Sequence, residues 1–295
     1  MILVVGATGV LGSEICRRLV SNGAAVRGLV RRTSQGDAVE RLRTLGVETT
    51  EADLKAPSSL TAACRGVRAV ISTATTTHSR QTGDSIETTD EVGQRNLVQA
   101  ARASGVAHVT YVSYSGGIDT DDPLTRAKRA VEREIQQSGM SYTILRPSFF
   151  MEVWLSPALG FDYPNARGTI YGAGTSKVSW ISLFDVASFA VETLEHPTAA
   201  NAVLELGGPE PLSPLDAVRI FEEVGGRPFQ VQHVQQSELE TQFTSATDSL
   251  HRTFAALRLN YAKGDPVPMD NILRRFPVEL TSVREYARRV LTPVR

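Results

Sequence analysis

The chain has little of several things, and each shortage removes a class of function. Only two cysteines, Cys16 and Cys64, occur in 295 residues, each within a predicted helix. No disulfide framework can staple such a fold, and buried, reduced thiols in a cytoplasmic protein are expected. The five histidines (His78, His108, His196, His233, His251) lack metal-ligand spacing, so no metal site is expected. Neither sign of charge dominates, with 31 Lys+Arg against 32 Asp+Glu. Without a basic excess there is little to hold a phosphate backbone, and nucleic acid is not an expected partner. The opening apolar run has no basic flank and breaks at Gly6, which predicts a buried strand and not a signal peptide. With 41% hydrophobic and 21% charged residues, nothing points to disorder or to a membrane. The length is enough to bury a large core.

What is present begins at once. Met1–Val5 is apolar and β-branched, and it feeds into Gly6, Gly9 and Gly12, spaced G-x-x-G-x-x-G. Leu11, Ile15, Leu19 and Val20 then recur at a helical period until Gly23 supplies a stop. Strand, glycine turn and helix form the context that a dinucleotide-binding fingerprint requires. Gly6 allows a sharp turn, Gly9 lets backbone amides approach a pyrophosphate, and Gly12 lets the helix pack closely. The unpaired N–H groups of the helix start, around Thr8, Val10 and Leu11, then face the phosphates.

The same alternation continues. Strands are predicted at Ala25–Val30, Val47–Glu51, Val67–Ser72, Val109–Ser113 and Tyr142–Leu145. Helices are predicted near Asp37–Leu45, Pro57–Cys64, Thr89–Ser104 and Pro123–Ser138. Buried strands alternating with helices imply an α/β fold, a doubly wound parallel sheet of Rossmann type. Past Pro147 the chain turns aromatic and irregular. Short strands are predicted near Thr169–Tyr171, Val178–Ile181, Val203–Leu206 and Phe229–Val234, with helices near Asp185–Leu194 and Leu215–Val224. The expected division is a dinucleotide-binding domain over 1–150 and a smaller substrate-covering subdomain over 151–295, interleaved with the last sheet elements.

An NAD-reading fingerprint places a carboxylate at the end of the second strand, where it binds the ribose 2′-hydroxyl. Here Arg31 and Arg32 stand there, able to clamp a 2′-phosphate or merely to solvate a strand end. NADP(H) is the expected cofactor, with Thr33 and Ser34 as added hydroxyl donors. Asp53, beside Leu54, can accept from an adenine amino group or cap the next helix. Thr73, in the Ser72–Thr76 run after the fourth strand, suits contact with a ribose or carboxamide.

In the helix over 123–138, Asp122 is the expected cap and Leu124, Ala127, Val131 and Ile135 form an apolar stripe. Lys128 falls inside that stripe. Its stem can pack on the core with the head snorkelling to water, or its ammonium can point towards a cofactor ribose and lower the pKa of a nearby acid. By this point the chain resembles an atypical short-chain dehydrogenase/reductase of the NmrA-like group. The residues that carry the likeness are G-A-T-G-V-L-G (6–12), V-R-R (30–32), A-D-L (52–54) and G-V-A-H-V-T-Y-V-S (105–113). K-R-A-V-E-R-E-I (128–135), T-I-L-R-P-S-F-F (143–150), F-D-V-A (184–187) and L-G-G-P-E-P-L-S (206–213) continue it.

The resemblance implies a serine that polarises a substrate carbonyl, matched by Ser113, and a catalytic lysine, matched by Lys128. It also implies a tyrosine four residues before that lysine, where this chain has Leu124. Relatives such as the phenylpropanoid reductases keep the lysine without the tyrosine. By the same likeness Pro147 and Phe149 pass under the nicotinamide, and Asp185 opens a subdomain helix as a cap. Tyr114, Phe150, Met151, Trp154 and Tyr163 are either core or the wall of an apolar substrate pocket. Tyr114 and Tyr163 are also possible replacement acids. The leading expectation is reduction of a carbonyl, quinone or enone in a small apolar molecule. The alternative is a dinucleotide-binding sensor or assembly factor acting through a protein partner. A sugar-nucleotide epimerase ranks below both, because that chemistry usually needs the tyrosine.

Overall fold

The computed structural model describes residues 1–77 and 81–292; of the five histidines, His78 lies outside them. Four-residue β1 (Ile2–Val5) is buried along its whole length and stands between β2 (Val26–Val30) and β4 (Ala69–Ser72). Ile2 is in register with Val26 on one side and with Ala69 on the other, both parallel. Adding β3 (Glu48–Glu51), β5 (His108–Val112), β6 (Ser141–Pro147) and β9 (Ala202–Leu206) gives a seven-stranded sheet ordered β3-β2-β1-β4-β5-β6-β9. The pairs from β3 through β6 are all parallel. The order of strand addition reverses at β1, so the glycine turn leaves the sheet at its topological switch point, where ligands bind in such folds.

The connecting helices are α1 (Val10–Ser21), α2 (Gly36–Thr44), α3 (Pro57–Ala63), α4 (Gln94–Ala103) and α5 (Pro123–Gln137). One core joins Leu3, Val5 and Val70 of the sheet to Leu60, Leu97, Val131 and Ile135 of the helices. Cys16 and Cys64 are free and buried, and burial pushes their thiols up to about 12 and about 11.

Two sequence expectations need correction. The helix expected over 89–104 begins at Ile86, and its first eight residues wind as a π-helix. Ser85 and Thr88 set its start with a reciprocal capping box. The strand expected over 178–181 reduces to single bridges, from Val178 to Leu212 and Asp265 and from Ile181 to Phe150. The backbone of Gly208 runs so close to Trp180 that a Cβ there would lie 1.8 Å from its carbonyl oxygen.

Two compact units divide the chain. One comprises Met1–Ser113, Pro123–Arg146 and Val186–Leu204; the other comprises Tyr114–Asp122, Pro147–Asp185 and Glu205–Arg295. The second unit holds a small sheet of β7 (Phe161–Asp162), β8 (Arg167–Tyr171) and β10 (Gln230–Val234), ordered β10-β8-β7. Its core gathers Phe161, Trp180, Phe221, Tyr261 and Tyr286. No helix among the described residues is long and apolar enough to cross a membrane. Among the same residues, no group of three or more His, Cys, Asp or Glu could hold a metal ion.

Candidate functional site

The glycine turn is shaped by contacts that exclude a side chain. Gly6 sits at φ +83°, and a Cβ there would come within 2.6 Å of the Thr73 hydroxyl. Gly12 is tighter: its Cβ would lie 2.2 Å from the Gly6 carbonyl oxygen. Helix α1 therefore rests directly on the turn, and Gly9, its N-cap, has no side chain to occupy the helix's first N–H groups. Thr8 is half-buried, Leu11 is buried, and Val10 is exposed. Thr73 donates its N–H (2.9 Å) and its hydroxyl (3.2 Å) to the Val5 carbonyl, which brings the β4 end against the turn.

At the ends of β2 and β3 lies a cavity of about 740 Å³, lined by Arg31, Arg32, Asp53, Lys55 and Ser59 among others. Arg31 Nη1 donates to Asp84 Oδ2 at 2.6 Å, and Lys55 Nζ donates to Asp84 Oδ1. Gln81 N–H adds a third bond to Asp84 at 2.9 Å. Burial pushes this carboxyl up, but the bonds from Lys55, Gln81 and Arg31 outweigh that and hold it below the usual range. Arg32, largely exposed, meets Glu51 at 3.1 Å. Asp53 is not the cap of α3: that position is Ala56, and Asp53 Oδ1 instead accepts from Lys55 N–H at 2.8 Å. Leu54 is buried, with its carbonyl bound by Asn96. Lys55 was legible in the sequence as a cation directly after A-D-L; Asp84 carried no local signal.

Lys128 is 4% exposed, and its Nζ donates to the Val112 carbonyl at 3.2 Å, beneath the Tyr111 ring at 5.0 Å. Burial lowers its pKa, and the negative charges of Asp90 and Glu132 only partly restore it. The ammonium does not snorkel to water. Ser113 is adjacent, but its hydroxyl binds the Glu132 carboxylate and accepts from Arg129 at 3.3 Å. Glu132 is itself buried between Arg129 (2.6 Å) and Arg146 (3.1 Å from Nε). The hydroxyl expected to face a carbonyl thus belongs to a closed ion network. Leu124 is buried one helical turn before Lys128.

The expected aromatic wall separates into two groups. Phe149 meets Trp154 edge-on at 4.8 Å, and Trp154 stacks on Tyr261 at 4.7 Å. Tyr163 instead faces Phe221 at 6.0 Å. Met151 is wholly buried, Phe150 half-buried, and Tyr114 half-buried against the second unit's core. Pro147 is buried, with its carbonyl accepting from Ser115 N–H at 2.8 Å. Tyr261, which the sequence did not single out, is the hub, and burial pushes its hydroxyl well above the usual range. Asp185 lies in the first turn of its helix, Leu183–Glu192, where its carboxylate accepts from Ser182 N–H. Glu152 accepts from Leu183 N–H there at 2.9 Å, while Asp185 takes the N–H and hydroxyl of Thr281.

Comparison with known proteins matches this arrangement. The chain is 31% identical over 281 residues to an NAD(P)H azoreductase of Xenophilus azovorans, covering 91% of this chain and 92% of that protein. It is 28% identical to a photosystem II assembly factor of Trieres chinensis, covering 79% of this chain and 72% of that one. The fold superposes on an Escherichia coli NADPH-dependent quinone oxidoreductase solved with NADPH, at TM-score 0.81 and 21% identity, covering 99% of this chain and 100% of the other. A family model for the NmrA-like family matches residues 1–287, and the chain belongs to that family.

Proposed function

We propose that the chain is an NADP(H)-dependent reductase of a carbonyl, quinone or enone in a small, largely apolar or aromatic molecule. The observation that carries this reading is the cavity at the ends of β2 and β3. Arg31, Arg32 and Lys55 line it, and no carboxylate stands at the end of β2. The Gly6–Gly12 turn fits a pyrophosphate, because it is a cradle that a single Cβ at Gly12 would fill. In this reading the backbone amides of the turn and the start of α1 hold the pyrophosphate. Arg31, Arg32 and Lys55 hold the 2′-phosphate, and Asp53 and Leu54 border the adenine. Lys128 orients the ribose next to the nicotinamide, and Thr73 borders the ring.

The cofactor supplies the hydride, and the protein supplies binding and orientation. Leu124 cannot move a proton, which favours acceptors whose reduced oxygen is weakly basic, quinones above simple ketones. Ser113 acts through Glu132 and Arg129, fixing the end of β5 beside Lys128. The relative named as an NAD(P)H azoreductase supports reduction of an azo acceptor, with the half-buried Phe150, Trp154 and Tyr114 as candidates for an apolar surround. Two buried free thiols suit a reducing compartment, the cytoplasm.

A second reading, a dinucleotide-binding protein that acts through a protein partner, draws on Leu124 and on the relative named as an assembly factor. NADPH consumption measured against a panel of quinones, azo dyes, enones and aromatic ketones separates the two. Turnover on at least one class, lost in Lys128→Ala, supports the reductase. Tight NADPH binding with no turnover on any acceptor would leave the partner-binding reading in its place.

A further inference from the structure

The cations of the cavity are not free charges. Arg31, Arg32 and Lys55 face Glu51 and Asp53 on its lining, and Asp84 stands behind Arg31 and Lys55. Among the described residues, three positive groups thus stand against three carboxylates. The carboxylates differ in kind. Glu51 and Asp53 are exposed or half-exposed, with 57% and 38% of their side chains open to water, so solvent screens them. The Asp84 side chain is 1% exposed, and both its oxygens are bound, one by Arg31 and Gln81 and the other by Lys55. Its charge is therefore the least screened of the three carboxylates, and it is bonded directly to two of the three cations.

We propose that Asp84 is a specificity-determining counter-ion: it offsets Arg31 and Lys55 and holds the preference for a 2′-phosphorylated dinucleotide to a modest value. This rests on the reading of the cavity as the 2′-phosphate pocket. A phosphate dianion entering there meets guanidinium and ammonium groups that already have an anionic partner, and it is repelled by that partner. A dinucleotide with a plain 2′-hydroxyl feels neither effect. Among the described residues, Arg31 keeps four of its five donors and Lys55 two of three, so Asp84 leaves both able to bind while lowering what the phosphate gains. Among the described residues, the bonds of Asp84 run to these two cations and to the loop residue Gln81.

Titration of the full chain with NADPH and with NADH tests this. In Asp84→Asn the NADPH Kd should fall on the order of tenfold while the NADH Kd changes by less than about twofold. NADPH binding should also become more sensitive to salt. An unchanged or lowered NADPH:NADH preference, or a parallel change in both constants, would overturn the proposal. The double variant Asp84→Asn/Lys55→Met removes one charge of each sign and guards against a single variant that fails to fold. It should return the preference to within about threefold of the parent. A preference at or below that of Lys55→Met alone would mean that Asp84 only positions its neighbours. Failure of the parent chain to bind either dinucleotide would remove the pocket assignment itself, and the proposal with it.

Discussion

Two groups of cations in the first unit are built on opposite plans. Arg31, Arg32 and Lys55 stand at the ends of β2 and β3 around an open cavity, with donors left over for a ligand. Arg129 and Arg146 close on the buried Glu132, which also binds the Ser113 hydroxyl. Lys128 sits beside that closed group, buried and, among the described residues, bonded to a backbone carbonyl. The first group lines a cavity that a ligand can enter. The second encloses a buried carboxylate beside the carboxyl edge of the sheet. Ser113, expected on sequence grounds to be a substrate contact, bonds to members of the second group.

The largest expected effect breaks the frame that both groups share. Gly12→Val drives a side chain into the Gly6 carbonyl, so measurable binding of either dinucleotide should vanish in calorimetry. Next, Glu132→Gln leaves Arg129 and Arg146 without their buried anion. It should lower unfolding stability by about 3 kcal/mol in urea denaturation. The pH dependence carries a definite sign. The Glu132 carboxyl is held below its ordinary 4.5, so its contribution is present above that pH and is lost as the pH falls through the lowered folded value. Parent and variant stabilities should converge in that acid range.

How much of this was legible depends on the distance over which each feature is encoded. The turn at Gly6–Gly12, the alternation of strands and helices and the inward Lys128 are local patterns, and all stood in the sequence. The winding of Ile86–Gly93 was not legible, because a π-helix keeps the apolar character of the α-helix it replaces. Asp84 lies 53 residues from Arg31 and 29 from Lys55, with nothing between to announce the contact. The aromatic residues were visible, but their hub, Tyr261, belongs to a helix in the stretch with the least family signal. Ser113 was correctly placed at a strand end, and its bond to Glu132 depends on a packing detail one helix away.

Smaller effects sharpen the contrast. Lys128→Met should reduce turnover on the order of 10²-fold and leave NADPH affinity within about tenfold, read from kcat and Kd separately. An equal loss of stability and activity would return Lys128 to the closed group. Arg31→Ala should weaken NADPH on the order of tenfold with NADH unchanged, and Arg32→Ala only about twofold, because Arg32 is mostly exposed. Equal affinity of the parent for NADPH and NADH would contradict the role given to the open group.

The most direct measurement follows the hydride itself. NADPH deuterated at the transferable position of the nicotinamide is mixed with the protein and a quinone or azo acceptor, and the oxidised cofactor and reduced product are analysed. The account predicts stoichiometric loss of deuterium from the cofactor with reduction of the acceptor, abolished in Gly12→Val and strongly slowed in Lys128→Met. NADPH that stays fully labelled and unoxidised while bound, whatever the acceptor, would contradict it.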